Sequence, residues 1–356
     1  METEKAGRTE FRNQAERRDE TGEKRCRGRW KRAVWGLCMV LWVAALFGGC
    51  GKQEQVKIRV GSLKGPTSMG ILSLMEESEQ GRTESDYEFN MATGADELLP
   101  LMVKGDLDIA LVPANVAAVL YQKTKGGVAV IDINTLGVLY MVTGTSEITG
   151  VTDLKGKTIY LTGKGTTPEA SLKYILERSG LKETDYRLEF KSEATEVAAV
   201  LAENPQAVGL LPQPFVTAAL MQNQALQVVL DMNVEWERVR EGVGNGMVTG
   251  VTVVRREFLQ EHKAAVDKFI EEHKESTDFI NADVDKGAEL AVKAGIVAKE
   301  PVAQKAIPQC NITCITGQEM KATLSGYLEV LAGFQKDLVG GNLPGEDFYY
   351  LSDGER

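Results

Sequence analysis

Residues 56–63, VKIRVGSL, followed by residues 68–77, SMGILSLMEE, set the pattern from which the fold is read. The first stretch alternates apolar and polar residues and is rich in β-branched side chains, which predicts a strand. The second spaces its apolar residues as a helix does. The same succession recurs twice, as a strand at 87–93 (YEFNMAT) with a helix at 95–104 (ADELLPLMVK), then a strand at 109–112 (IALV) with a helix at 115–123. The wholly apolar IALV is what a sheet covered on both faces requires. Pro100 falls inside the second helix and is expected to bend it. Strand–helix alternation of this kind predicts an α/β lobe around a mostly parallel sheet.

A second alternation begins beyond residues 137–144 (GVLYMVTG), with strands at 157–162, 186–191, 207–211 and 226–231 and helices at 168–179, 194–203 and 215–222. Gly180 stands where a helix C-cap glycine belongs. The phrase Met141-Val142-Thr143-Gly144 returns as Met247-Val248-Thr249-Gly250, bracketing this second alternation, so the two segments read as strands linking two lobes. The expected organisation is a first lobe from residues 56–143, a second from 144–246, and a return strand with C-terminal helices in 247–356. In the tail, residues 256–282 carry a helical apolar stripe, with His273 on it and His262 at its edge, both read as packed residues. Thr316 and Glu319 have the spacing of a capping box that opens a last helix through residue 338, and the tail is expected to pack on the first lobe. Trp236 and Arg238 stand in a predicted loop, 231–246, either over a cleft or simply at the surface.

The 356 residues include 41 Lys and Arg against 51 Asp and Glu, a formal net charge of −10. Residues 1–49 hold 11 of the basic and 7 of the acidic residues, so the remainder is more acidic than the whole. A basic stretch at 24–32 (KRCRGRWKR) precedes a 15-residue apolar run at 33–47 (AVWGLCMVLWVAALF). A bilayer-spanning helix needs about 20 apolar residues, so the run is short, and residues 1–49 read as a signal peptide. Gly48-Gly49-Cys50 resembles the lipobox of bacterial lipoproteins, although Phe47 stands where that pattern prefers Leu. On this reading Cys50 is lipidated, residues 50–55 are a tether, and the rest lies outside the cytoplasm on the cell membrane. The basic region is long enough to leave room for a start codon downstream of Met1. An uncleaved anchor is the alternative.

The acidic balance argues against a nucleic-acid partner, and 6% aromatic residues is too thin for a base-stacking platform. Only two histidines occur. The Gly163-x-Gly165 loop lacks the further glycines and the G-K-[ST] of nucleotide-binding loops, and no G-x-S-x-G or H-E-x-x-H motif is present. No catalytic residue, cofactor or metal ligand is therefore expected. Cys310 and Cys314 read as either a strained disulfide or two free, partly buried thiols, and no Cys or His stands near them in sequence to complete a zinc site.

In open parallel sheets, ligands bind beyond the carboxyl ends of the strands, where helix N-termini point. The loops at those positions are rich in small polar residues. The candidate ligand-binding residues are Lys64, Gly65, Pro66, Thr67 and Ser68 after the first strand, Thr93 and Gly94 after the second, and Asn115 after the third. In the second alternation they are Gly163, Gly165, Thr166, Thr167 and Gln213. Gly165 permits close backbone approach, and Thr166 with Glu169 has capping-box spacing. The set suits an anionic or carboxylate-bearing ligand, although each Ser or Thr could equally serve its own helix as an N-cap.

Two phrases carry a resemblance. Leu101-x-x-x-Gly105-Asp106-Leu107-Asp108-Ile109-Ala110, and Asp153-Leu154-Lys155-Gly156-Lys157-Thr158-Ile159 followed by Gly165-Thr166-Thr167-Pro168-Glu169, resemble the extracytoplasmic solute-binding proteins of ABC importers. The nearest group is the sulfonate/nitrate/taurine-binding type, which shares its fold with thiamine-pyrimidine synthases. The resemblance implies a two-lobed periplasmic-binding-protein type II fold, a small solute in the cleft, hinge closure at 137–144 and 246–250, and delivery to an ABC permease by a monomer. A sensory binding module, or a synthase or lyase on the same fold, are the alternatives it leaves.

Overall fold

The computed structural model describes residues 56–240 and 246–352; the expected signal peptide, Cys50 and the tether lie outside them. The first lobe opens with strand β1 (Lys57–Leu63), the single-turn helix α1 (Pro66–Met69), α2 (Leu72–Glu79), β2 (Asp86–Ala92), α3 (Ala95–Lys104), β3 (Ile109–Pro113), α4 (Ala114–Lys123) and β4 (Val128–Leu136). The second contains β5 (Leu139–Thr143), β6 (Thr158–Leu161), α5 (Thr167–Arg178), β7 (Arg187–Phe190), α6 (Ala194–Glu203), β8 (Val208–Pro212), α7 (Phe215–Gln222), β9 (Gln227–Asp231) and α8 (Met232–Val239). The chain returns through β10 (Val248–Arg255), α9 (Arg256–Glu261), α10 (Lys263–Ala282), α11 (Val284–Lys293), α12 (Glu300–Ala306), β11 (Ile312–Ile315) and α13 (Gly317–Phe334).

The strand orders are β11-β4-β10-β3-β1-β2 in the first sheet and β7-β6-β8-β5-β9 in the second. Each has a parallel part, β2-β1-β3 and β7-β6-β8, as the strand–helix alternation requires. Each is completed by antiparallel strands, so both sheets are mixed rather than mostly parallel. The two echoed phrases belong to different sheets: β5 pairs with β8 and β9 of the second, whereas β10 sits between β3 and β4 of the first. The first crossover therefore falls at residues 137–138, ahead of the boundary expected at 144.

Strand β4 was not anticipated. Its sequence, VAVIDINTL, is buried at eight of nine positions, which is possible because its polar members bond one another. Thr252 Oγ1 donates to Asp132 Oδ1 at 2.7 Å, Asn134 Nδ2 donates to Thr252 Oγ1 at 3.2 Å, and Thr135 Oγ1 donates to Asn134 Oδ1 at 2.9 Å. Buried polar groups matched in this way avoid the desolvation penalty of unpaired ones.

The segment expected as a loop at 231–246, over a cleft or at the surface, contains helix α8 (Met232–Val239), started by the Asp231 carboxylate accepting from Asn233 N–H at 2.9 Å. Trp236 is 1% exposed. Its ring lies 4.8 Å from Tyr174 of α5 and 5.1 Å from Tyr327 of α13, so it is a core residue joining the lobes. The apolar stripe at 256–282 is interrupted at His262, between α9 and α10. The last helix stops at Phe334, followed by a 3-10 turn over Lys336–Val339. It begins next to Thr316 as expected, but the Thr316 side chain makes no capping bond. Pro100 is accommodated inside α3.

The first of the two phrases that carry the resemblance has a physical reason. Asp108, 1% exposed at the entry to β3, accepts from Arg59 Nε at 2.8 Å, from the Arg59 second guanidinium nitrogen at 2.6 Å, from Arg59 backbone N–H at 3.0 Å and from Arg255 at 3.1 Å. One carboxylate thus ties β1, β3 and β10 together. Burial alone would raise its pKa; the Arg59 and Arg255 guanidinium groups and the Arg59 amide outweigh it and hold the carboxyl below its ordinary value. Replacing Asp108 with Asn should lower the unfolding free energy by about 2–3 kcal/mol, below the cost for a fully buried pair because both arginines reach solvent. A depressed folded pKa contributes stability above the ordinary aspartate value and loses it as pH falls through the folded one. Urea unfolding of wild type and Asp108→Asn should therefore differ at neutral pH and converge in strong acid.

Candidate functional site

The sheets present the ends of β1, β2, β3, β6, β7 and β8 to one cleft of about 640 Å³, lined from both lobes. The first lobe contributes Lys64, Pro66 and Thr67 after β1, Thr93, Gly94 and Asp96 after β2, Pro113, Val116 and Lys123 from β3 and α4, and Thr249 of β10. The second contributes residues 162–166 after β6, Lys191, Ser192 and Glu193 after β7, and Pro212 and Phe215 after β8.

Eight candidate residues line this cleft: Lys64, Pro66, Thr67, Thr93, Gly94, Gly163, Gly165 and Thr166. The other five are engaged inside the protein. Gly65 is buried and precedes α1 with φ +144°. Ser68 donates to the Leu63 carbonyl at 2.6 Å. Asn115 joins the lobes: its Nδ2 donates to the Gly165 carbonyl at 3.0 Å, and its Oδ1 accepts from Thr167 Oγ1 at 3.3 Å. Gln213 donates to Gln309 at 3.1 Å and accepts from Thr217 Oγ1 at 2.9 Å. In these residues the local role won over the ligand role.

Four helix N-caps line the cleft: Gly94, Pro113, Thr166 and Glu193. Their N–H groups are not equally free. Glu97 Oε1 accepts from Thr93 and Gly94 N–H, both at 3.1 Å. Glu169 Oε2 accepts from Gly165 N–H at 2.6 Å, while the Thr166 hydroxyl donates back to the Gly163 carbonyl at 2.7 Å, so the expected capping box is only half formed and is shifted by one residue. Glu196 accepts from Ser192 N–H at 3.1 Å. The start of α4, behind Pro113, has no side-chain cap.

Side-chain charge is the stronger feature. Lys64, Lys123, Lys164 and Lys191 line the cleft, against Asp96 and Glu193. Lys191 donates to Glu189 at 2.8 Å and lies 5.4 Å from the Tyr160 ring, and the Glu189 bond raises its pKa, keeping it cationic. Lys164 sits 5.8 Å over Phe190. Among the described residues, Lys64 and Lys123 have no carboxylate partner. Neither histidine lines the cleft: His262 stands at the α9–α10 junction and His273 is fully buried against Asp132.

Lys123, Lys164, Lys191 and Thr249 were missed by sequence reasoning. The rule that selected five strand-to-helix loops applies equally to Lys191-Ser192-Glu193, which was passed over. Thr249 was signalled by the repeated Met-Val-Thr-Gly phrase, though its reason is chemical. Its Oγ1 is buried at the cleft wall with no hydrogen-bond partner, on a residue 7% exposed. An unpaired buried hydroxyl destabilises the ligand-free fold, and a ligand that pairs it recovers that energy. Thr249→Val should leave the free protein as stable as wild type or up to about 1–2 kcal/mol more stable, while weakening the binding of a small molecule in the cleft about two- to tenfold. Chemical denaturation paired with calorimetric titration reads both changes.

The two cysteines are free; Cys310 is buried in an apolar cluster, with its thiol pushed up to about 12 by burial, and Cys314 is half-buried. No metal ligand was expected here because nothing suitable stands nearby in sequence, yet the fold brings Asp132 and His273 to Cys314.

A protein-family model described as VitK2_biosynth, menaquinone biosynthesis, matches residues 69–307. No curated protein matches the chain. Among solved structures, an ABC transporter from Parabacteroides distasonis is 23% identical, with a TM-score of 0.67 over 83% of this chain and 99% of that one. The periplasmic aliphatic sulphonate binding protein SsuA from Escherichia coli is 16% identical, with a TM-score of 0.65 over 82% of this chain and 90% of that one. The alkanesulfonate-binding protein SsuA from Xanthomonas axonopodis pv. citri, bound to MOPS, is 16% identical, with a TM-score of 0.63 over 82% and 96%. These likenesses establish the two-lobed periplasmic-binding-protein fold. No helix among the described residues is long and apolar enough to cross a membrane.

Proposed function

The chain belongs to the menaquinone-biosynthesis family matched above, and we propose that it works as the substrate-binding lipoprotein of an ABC importer, capturing a small anionic solute outside the membrane for a permease. The observation that carries this reading is the cleft itself: four lysines and an unpaired Thr249 hydroxyl, gathered between two lobes of a strongly acidic chain. Such a site holds a sulfonate or carboxylate by charge-assisted hydrogen bonds. Binding needs no proton shuttle, which agrees with both histidines lying elsewhere. The solved structures of similar fold include sulfonate-binding proteins, which supports an oxyanion as the ligand class. A monomer suffices, because both walls of the cleft come from one chain.

The family description favours a second reading, an enzyme on this fold acting on an anionic substrate in the same cleft. One experiment separates the two. Purified protein is screened by thermal shift against sulfonates, nitrate, carboxylates, amino acids, pyrimidines and vitamins, since a ligand of the native state raises apparent stability. Hits are then incubated with the protein and recovered for mass analysis. The capture reading expects unchanged solute; conversion to a product of different mass establishes the enzyme. Lys64→Ala should weaken the best anionic hit about tenfold or more, the worth of a charge-assisted bond, with unchanged circular dichroism. Unaltered affinity in that variant would remove Lys64 from the site.

The anchor is a separate element of the proposal. With Cys50 as the lipidated residue, Cys50→Ala should release the protein from the membrane fraction or leave a precursor of higher mass. Normal processing and membrane attachment in the variant would show that Cys50 is not the anchor.

A further inference from the structure

Behind the first sheet's polar network lies a cluster that the cleft does not use. Asp132 is in the middle of β4, Cys314 is in β11, the edge strand paired with β4, and His273 is on α10. Each offers one ligand atom, and these atoms all lie within 4.8 Å of one another. Asp132 Oδ2 and His273 Nδ1 are 3.1 Å apart, and both residues are fully buried. We propose that Asp132, His273 and Cys314 form a binding site for one divalent transition-metal cation of the zinc type.

The donor set selects the metal class. Calcium and magnesium take oxygen ligands, whereas one oxygen, one imidazole nitrogen and one sulfur suit zinc, with a fourth position left for water. Zinc–ligand bonds of about 2.0–2.3 Å put neighbouring donors of a tetrahedron about 3.3–3.8 Å apart, and the three atoms here need only small shifts to reach that spacing. Charge also fits, since a carboxylate and a thiolate balance a divalent cation.

Two independent observations point the same way. The carboxylate is oriented from behind: Thr252 Oγ1 donates to Asp132 Oδ1 at 2.7 Å, leaving Oδ2 toward the cluster, and metal-ligating carboxylates are commonly held by such a hydrogen bond. The fully buried His273 turns its Nδ1 to the same Oδ2, at 3.1 Å, so the imidazole presents a ring nitrogen to the cluster. Burial and the nearby Asp132 hold the Cys314 thiol protonated in the metal-free protein. Metal binding would form the sulfur–metal bond and release that proton to solvent.

The probes are zinc and cobalt(II) added to the full-length purified protein in the presence of a competing chelator. The expected result is one metal per chain and a near-ultraviolet thiolate-to-cobalt charge-transfer band. Cys314→Ser should abolish the band and weaken zinc binding about tenfold or more, His273→Gln should do the same, and Cys310→Ser should leave both unchanged. Circular dichroism checks folding; if His273→Gln does not fold, Cys314→Ser decides alone. Failure of the wild type to bind stoichiometric metal, or an undiminished band in Cys314→Ser, overturns the site. Neither result bears on the cleft, whose lining includes none of these residues.

Discussion

The lobes share one apolar core, and the rest of the molecule is arranged around that fact. Trp236 of the second lobe stacks between Tyr174 of the same lobe and Tyr327 from the C-terminal helix, while Phe334 of that helix meets Tyr174 edge-on at 5.7 Å. The Tyr327 hydroxyl pairs with Ser171 at 2.8 Å, so even the polar edge of the junction is satisfied. Side chains this large contribute several kcal/mol each when buried. Hydrogen bonds from two buried amides add to the junction, Asn115 to the Gly165 carbonyl and Gln213 to Gln309.

The sequence disclosed the parallel half of each sheet and, of the antiparallel half, β5, β9 and the start of β10, while β4 and β11 stayed hidden for a physical reason. Strands such as IALV and TIYL stand beside helices with clear periodicity, so each is marked twice. Strand β4 has no following helix, is buried on both faces, and mixes Asp132, Asn134 and Thr135 with aliphatic residues, so neither alternation nor a pure apolar run marks it. Its polar residues make sense only beside Thr252 of β10 and His273 of α10, more than a hundred positions away in sequence. The cluster around Cys314 escaped for the same reason, since its three members are adjacent only after β11 pairs with β4.

The site was legible in outline. Strand-to-helix loops do converge, and most of the glycines and prolines in them line the cleft, Gly65 and Pro214 excepted. What the loops could not reveal was which hydroxyl faces the ligand and which faces the chain. Thr67 and Ser68 are neighbours whose hydroxyls both donate to the Leu63 carbonyl, at 3.2 and 2.6 Å, yet only Thr67 lines the cleft. The lysines were harder still: Lys123 ends a helix and Lys191 ends a strand, positions where a solvated charge is the ordinary expectation.

The placement of those lysines has a kinetic corollary. An anion approaching from bulk solution meets the field of a chain with a net charge of −10, and is repelled before it can sense the cleft. At about 0.1 M salt the Debye length is about 10 Å, so the distant acidic surface is screened while the lysines at the cleft mouth still act at contact range. Moderate ionic strength should thus speed encounter between this protein and an anion, the opposite of the slowing that salt imposes on binding steered by complementary charge.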